Sequence, residues 1–197
     1  MRYQKTVLLG AFLALSAIVS APAHGQETYG IDPGQTPRME TSLGYTFLHA
    51  NAPPGQCGCF SANGGYGSIA LNTRRGFSIV ADFTGMHTNT VGATTQSITI
   101  FNYLFGPRYT LPRISGRFLP YGQVLGGGSR ESSSYTYVNN LAGAAFSAGG
   151  GVTTTLKRHL GWTIVEADWV RSYVPNAQNN LQNDLRVSSG LTFRLGL

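Results

Sequence analysis

The sequence predicts an all-β fold, an eight-stranded antiparallel up-and-down transmembrane β-barrel preceded by a signal peptide. Three observations carry that prediction. Segments of two-residue alternation recur along residues 38–197, the period of a strand with a different environment on each face. The links between them are alternately long and short, which places the long ones at one rim of a closed meander. Residues 1–25 have the layout of an export signal.

The N-terminus sets the compartment. Arg2 and Lys5 form a short basic region, Thr6 to Ala21 is apolar apart from Thr6, Ser16 and Ser20, and Ala21-Pro-Ala23 supplies small residues for cleavage. The apolar run is about 16 residues long, short of the roughly 20 a spanning helix needs. The expected division is therefore a signal peptide at 1–25, an N-terminal extension at 26–37 and a barrel at 38–197. Loss of Arg2 and Lys5 lowers the formal net charge from +6 to about +4. The basic residues are scattered singly or in pairs, so the pI near 9.6 does not indicate a nucleic-acid partner. With 26 glycines, 10 Tyr and 10 Phe against 11% charged residues, composition favours short strands and turns over helices.

The eight strands follow in order. The first, 38–49, sets Leu43, Tyr45 and Phe47 against Glu40, Ser42, Gly44 and Thr46. The second, 64–72, carries Tyr66, Ser68, Ile69 and Leu71. The third, 77–85, sets Phe77, Ile79, Ala81 and Phe83 against Ser78, Val80, Asp82 and Thr84. In the fourth, 96–106, Phe101, Tyr103 and Phe105 oppose Ile100, Asn102 and Leu104. The fifth, 117–127, alternates Tyr121, Gln123 and Leu125 with Pro120, Gly122, Val124 and Gly126. The sixth runs from Ala144 to Leu156. The seventh, 162–172, alternates Thr163, Val165, Ala167 and Trp169 with Ile164, Glu166, Asp168 and Val170. The eighth, 185–197, sets Leu185, Val187, Leu191, Phe193 and Leu195 against Arg186, Ser188, Gly190, Thr192 and Arg194.

Between them, 50–63, 86–95, 128–143 and 173–184 are long and rich in Gly, Ser, Asn, Thr and Pro. Residues 73–76 and 157–161 are tight turns, and 107–116 is intermediate. Glu40, Asp82, Glu166, Asp168, Arg186 and Arg194 all fall opposite the aromatic or aliphatic face of their strands. Eight strands enclose room only for side chains or a small ligand. These acids and arginines are therefore expected to point inward and form a salt-bridge network, with Glu40 near Arg186 or Arg194. Such filling argues against a broad water-filled pore.

Several stretches resemble the small eight-stranded outer-membrane barrels, a family typified by the transmembrane domain of outer membrane protein A and including Opacity-type and attachment-invasion-locus barrels. They are Ser42-Leu-Gly-Tyr-Thr-Phe47, Phe77-Ser-Ile-Val-Ala-Asp-Phe-Thr-Gly85, Tyr103-Leu-Phe-Gly-Pro-Arg108, Tyr121-Gly-Gln-Val-Leu-Gly-Gly127 and Gly190-Leu-Thr-Phe-Arg-Leu-Gly196. The resemblance spans residues 38–197 and implies residence in the cell outer membrane. It implies outer-membrane lipids and lipopolysaccharide as surroundings and the barrel-insertion machinery as a partner in biogenesis. Two departures stand out. The chain ends in Leu197 where such barrels commonly end in an aromatic residue, and no peptidoglycan-binding domain is expected after the last strand.

Residues with chemistry to offer are few. Cys57 and Cys59 lie two apart in the first long loop. Export permits a disulfide, though that spacing demands a tight, strained loop. Free or intermolecular thiols and half of a metal site are the alternatives. Of His24, His49, His87 and His159, only His49 and His87 lie near the long-loop rim. A lipid-modifying relay would need a serine and an orienting acid beside one of them, and Glu166 and Asp168 are expected to point away. No catalytic residue, cofactor or metal site is assigned, and no activity is expected to depend on either histidine. Tyr45, Phe47, Phe101, Tyr103, Phe105, Trp162, Trp169 and Tyr173 fit the aromatic belts of a lipid-embedded barrel. The function expected is a structural, non-enzymatic barrel with four exposed loops, serving envelope integrity or surface interaction with a ligand the sequence does not name. A narrow ion or solute channel, a lipid-modifying enzyme and a soluble periplasmic ligand carrier are the alternatives.

Overall fold

Alternating sequences become barrel walls only if the first strand finds the last. In the computed structural model they do, giving one closed barrel of eight antiparallel strands in sequence order. The structure describes residues 37–50, 59–73, 76–91, 97–114, 117–134, 140–175 and 180–196. The strands are β1 (Met39–Ala50), β2 (Phe60–Asn72), β3 (Phe77–Thr88), β4 (Ile98–Thr110), β5 (Phe118–Ser133), β6 (Leu141–Lys157), β7 (Leu160–Ser172) and β8 (Gln182–Leu195). β1 and β8 close the wall in continuous register from Met39↔Leu195 to His49↔Leu185. The segments read as a signal peptide and extension lie outside the described residues, apart from Pro37.

The walls sort side chains in the reverse of a water-soluble protein. Ile79 and Val124 are 62% and 60% exposed, whereas Arg186 is 1% exposed. Leu43, Leu71, Phe105, Leu185 and Phe193 also stand outward. A continuous apolar belt on a monomer marks contact with something other than water. A polar interior inside such a belt is the arrangement of barrels in lipid.

The strands reach further toward the long-loop rim than the sequence alone indicated. β5 continues past Gly127 to Ser133 and pairs with β6 as far as Glu131↔Leu141. Gly128 reads as the start of a loop, yet the places of the missing side chains along Gly126-Gly-Gly128 are taken by neighbours. Phe146 lies 3.4 Å from where a Cβ on Gly126 would sit, and the ring of Tyr103 covers Gly128. Similarly, Gly106-Pro107 reads as a strand end, but β4 continues through it to Thr110.

One facing assignment is corrected. Thr163 does not share the outer face of Val165, Ala167 and Trp169, because it is buried in the interior. The ladder from β6 steps from Val152↔Val165 to Thr153↔Thr163, leaving Ile164 as an extra residue in β7. A bulge of this kind shifts the alternation by one. Glu166 and Asp168 keep their inward placement on the other side of it.

Candidate functional site

The feature of this fold with chemical content is its interior, where Glu40, Asp82, Arg108, Glu166, Asp168, Arg186 and Arg194 are paired. Arg186 projects from β8 and donates from Nη1 to Asp82 Oδ1 on β3 at 2.5 Å and to Thr84 Oγ1 at 3.0 Å. Its Nη2 donates to Asp168 Oδ2 on β7 at 2.5 Å and lies 3.4 Å from Glu166 Oε1. β8 and β3 are three strands apart around the wall, so this one guanidinium spans the lumen.

A second layer joins the first. Arg108 on β4 donates to Gln123 Oε1 from Nε at 3.0 Å and from Nη2 at 2.7 Å. Its Nη2 is 3.5 Å from Glu166 Oε2. Its guanidinium carbon lies 4.2 Å from the centre of the Tyr121 ring, a cation–π distance. The Tyr121 hydroxyl donates to Glu166 Oε2, and Gln123 Nε2 donates to Asp168 Oδ1 at 3.3 Å. Two guanidiniums thus meet three carboxylates in a web that ties together β3, β4, β5, β7 and β8. Charges this deeply buried need such partners, because an uncompensated ion away from water costs several kcal/mol.

Two further layers fill the rest. Toward the short turns, Arg194 Nε donates to Glu40 Oε1 at 3.0 Å and its Nη1 to Thr155 Oγ1 at 2.9 Å. Hydroxyls bridge the wall between these layers, with Ser42 and Thr192 at 2.9 Å and Thr46 and Ser188 at 2.9 Å. Toward the long loops, Leu48, Ala50, Phe60, Ala62, Met86 and Ile100 close over one another, with Val91 among them. The lumen is filled by ionic, hydroxyl and apolar layers.

All the interior charges expected from the sequence are found here. Glu40 pairs with Arg194 rather than Arg186. Arg108, Tyr121 and Gln123 were not expected as members. The alternation carried on through Pro107 from Asn102 and Leu104 would have placed Arg108 inside, since positions 102, 104, 106 and 108 share a face.

His49 is closer to a serine than the sequence suggested, with Nδ1 3.4 Å from Ser61 Oγ. His87 bonds Thr99 Oγ1 and Asn89 Oδ1, each at 2.9 Å. Among the described residues neither ring is paired with a carboxylate, so neither completes a serine–histidine–acid relay. No group of three or more His, Cys, Asp or Glu among the described residues could hold a metal ion. Cys57 lies outside the described residues, and Cys59 is exposed.

No protein-family model and no curated protein matches the chain. Solved structures do. Neisserial surface protein A superimposes with a TM-score of 0.60 at 12% identity, covering 80% of this chain and 97% of that one. The attachment invasion locus protein Ail of Yersinia pestis gives 0.52 at 12% identity, covering 81% and 100%. The outer membrane protein OprG of Pseudomonas aeruginosa gives 0.50 at 10% identity, covering 81% and 96%. Closed topology, inverted polarity and these likenesses agree, and the chain has the fold of the small, OmpA-like eight-stranded outer-membrane β-barrels.

Proposed function

We propose that this protein is an outer-membrane barrel of scaffold type, closed to solute flow and non-enzymatic, whose rigid wall displays four loops at the cell surface. The observation that carries this reading is the Arg186 crossbar, buried and bonded to Asp82, Thr84 and Asp168 across the lumen. To conduct, the barrel would have to break that web, leaving charges unpaired. Export through residues 1–25, insertion by the barrel-assembly machinery and residence among outer-membrane lipids and lipopolysaccharide belong to the same reading.

The composition of the loops narrows the surface role. The long connections 51–59, 89–97, 134–140 and 173–181 contain no Lys, Arg, Asp or Glu. Ail has been crystallised with the heparin analogue sucrose octasulfate. Uncharged loops rich in Asn, Gln, Ser, Thr and Tyr suit a neutral, hydrogen-bonding partner better than such a polyanion.

Planar-bilayer recording tests the closed interior. The refolded barrel is expected to leave the bilayer silent at voltages where refolding controls are silent. Reproducible discrete steps that disappear with unfolded protein would replace the scaffold reading with a narrow channel.

A further inference from the structure

Charge outside the lumen is gathered at one end of this barrel. Of 14 Lys and Arg, Arg2 and Lys5 belong to the export segment. Arg108, Arg186 and Arg194 are interior. Five of the remaining nine are described at the short-turn rim, and two more fall in the sequence of the connection between β2 and β3. The β6–β7 turn carries Lys157 and Arg158, the β4–β5 link carries Arg113 and Arg117, the 73–76 turn has Arg74 and Arg75 in its sequence, and Arg38 precedes β1. The long connections at the opposite rim carry no charge.

Nothing within the described protein neutralises this ring. Arg38, Arg113, Arg117, Lys157 and Arg158 make no ion pair with any described carboxylate. The acids among the described residues are committed elsewhere. Glu40, Asp82, Glu166 and Asp168 are paired inside the barrel, Asp184 is buried and Glu131 half-buried toward the other rim.

The cations are set among exposed apolar groups. In the β4–β5 link, Ile114 bridges Phe118. Leu111, Ile114 and Phe118 are exposed beside Arg113 and Arg117, and Leu156 is exposed beside Lys157. Phe77 and Tyr109 pack with tilted rings, their centres 4.8 Å apart, at the same rim. Exposed apolar side chains for the acyl boundary and cations one step beyond them form the pattern of an interfacial lipid contact.

We infer that the short-turn rim binds anionic phospholipid headgroups of the periplasmic leaflet, with Arg113, Arg117, Lys157 and Arg158 as the principal phosphate ligands. This rests on the outer-membrane reading above and adds a partner to it. A ring with cations on every short connection meets a leaflet that surrounds the barrel. A protein docked on one side would need charge on one side only. Arginine matches phosphate oxygens through two parallel donors, and each cation near an anionic surface favours it about fivefold at low salt.

The test refolds the barrel into vesicles of phosphatidylethanolamine mixed with phosphatidylglycerol. Lipids that remain with it after extraction into small discs are then quantified by mass spectrometry. The protein is expected to retain phosphatidylglycerol above its bulk fraction, with the excess declining as salt is raised. The quadruple variant Arg113→Gln, Arg117→Gln, Lys157→Gln, Arg158→Gln should reduce that excess at least about fivefold while keeping the heat-modifiable gel shift. If that variant does not fold, the double variant Arg113→Gln, Arg117→Gln should lose part of the excess, and Arg113→Lys, Arg117→Lys should retain most of it. Equal phosphatidylglycerol content in the native and glutamine variants overturns the proposal, as does native protein that co-sediments with purified peptidoglycan and shows no lipid preference. A native chain that inserts into no vesicle at all overturns the membrane reading, and this proposal with it.

Discussion

Arg186→Met is expected to destabilise the folded barrel by about 3–5 kcal/mol, the cost typical of removing one partner from a buried ionic cluster. Methionine fills much of the arginine's volume, so packing alone accounts for little of that loss. What remains is Asp82 and Asp168, both buried with no cation, and Glu166, left with Arg108 alone. Urea unfolding of the barrel in lipid, followed by tryptophan fluorescence, reads the change as a lower midpoint. Adding Asp82→Asn and Asp168→Asn to Arg186→Met should restore part of the midpoint, because the unpaired charges are then removed. A single substitution without effect would mean that the crossbar is not formed in the membrane.

The second large effect concerns a residue with no side chain. Gly149 faces the lumen on β6, and a Cβ there would collide with the Ala167 carbonyl oxygen and with Asp168 Oδ1. The carbonyl is wall backbone and cannot swing away, and the carboxylate is held by Arg186. Gly149→Val is therefore expected to cost about 3 kcal/mol or more, at or beyond the upper end of ordinary overpacking. It should also sharply reduce the yield of heat-modifiable barrel. Gly122 on the adjacent strand is the control. A Cβ there would meet nothing closer than the Gly149 carbonyl oxygen at 3.7 Å, so Gly122→Val should fold normally. Equal yields from the two variants would contradict the interior packing described.

What the sequence made legible follows from the physics of a two-sided wall. Alternation assigned Asp82, Glu166, Asp168, Arg186 and Arg194 to the lumen, because lipid outside and polar groups inside leave no other place for a charge. The same rule named the outward face of β1, β3, β4 and β8. It failed at Thr163, where the extra residue Ile164 resets the alternation, and bulges leave no compositional mark there. Strand ends were misjudged where glycine and proline sit inside strands. Gly128 stays in the ladder, covered by the Tyr103 ring, and Pro107 does not end β4. The central site was legible as a set of charges but not as a circuit. Arg108, Tyr121 and Gln123 reach it only through the curvature that brings β4 and β5 opposite β7. The positive short-turn rim was visible as scattered cations, and the topology is what gathers them at one end.

An apolar wall around a polar interior belongs in the lipid of an outer membrane. Fractionation of cells producing the native chain, with each fraction run on a gel before and after heating, tests it directly. Protein is expected in the outer-membrane fraction, migrating faster unheated than heated, since a folded barrel stays compact in cold detergent. Protein recovered in the soluble periplasm, with one mobility at both temperatures, would contradict it.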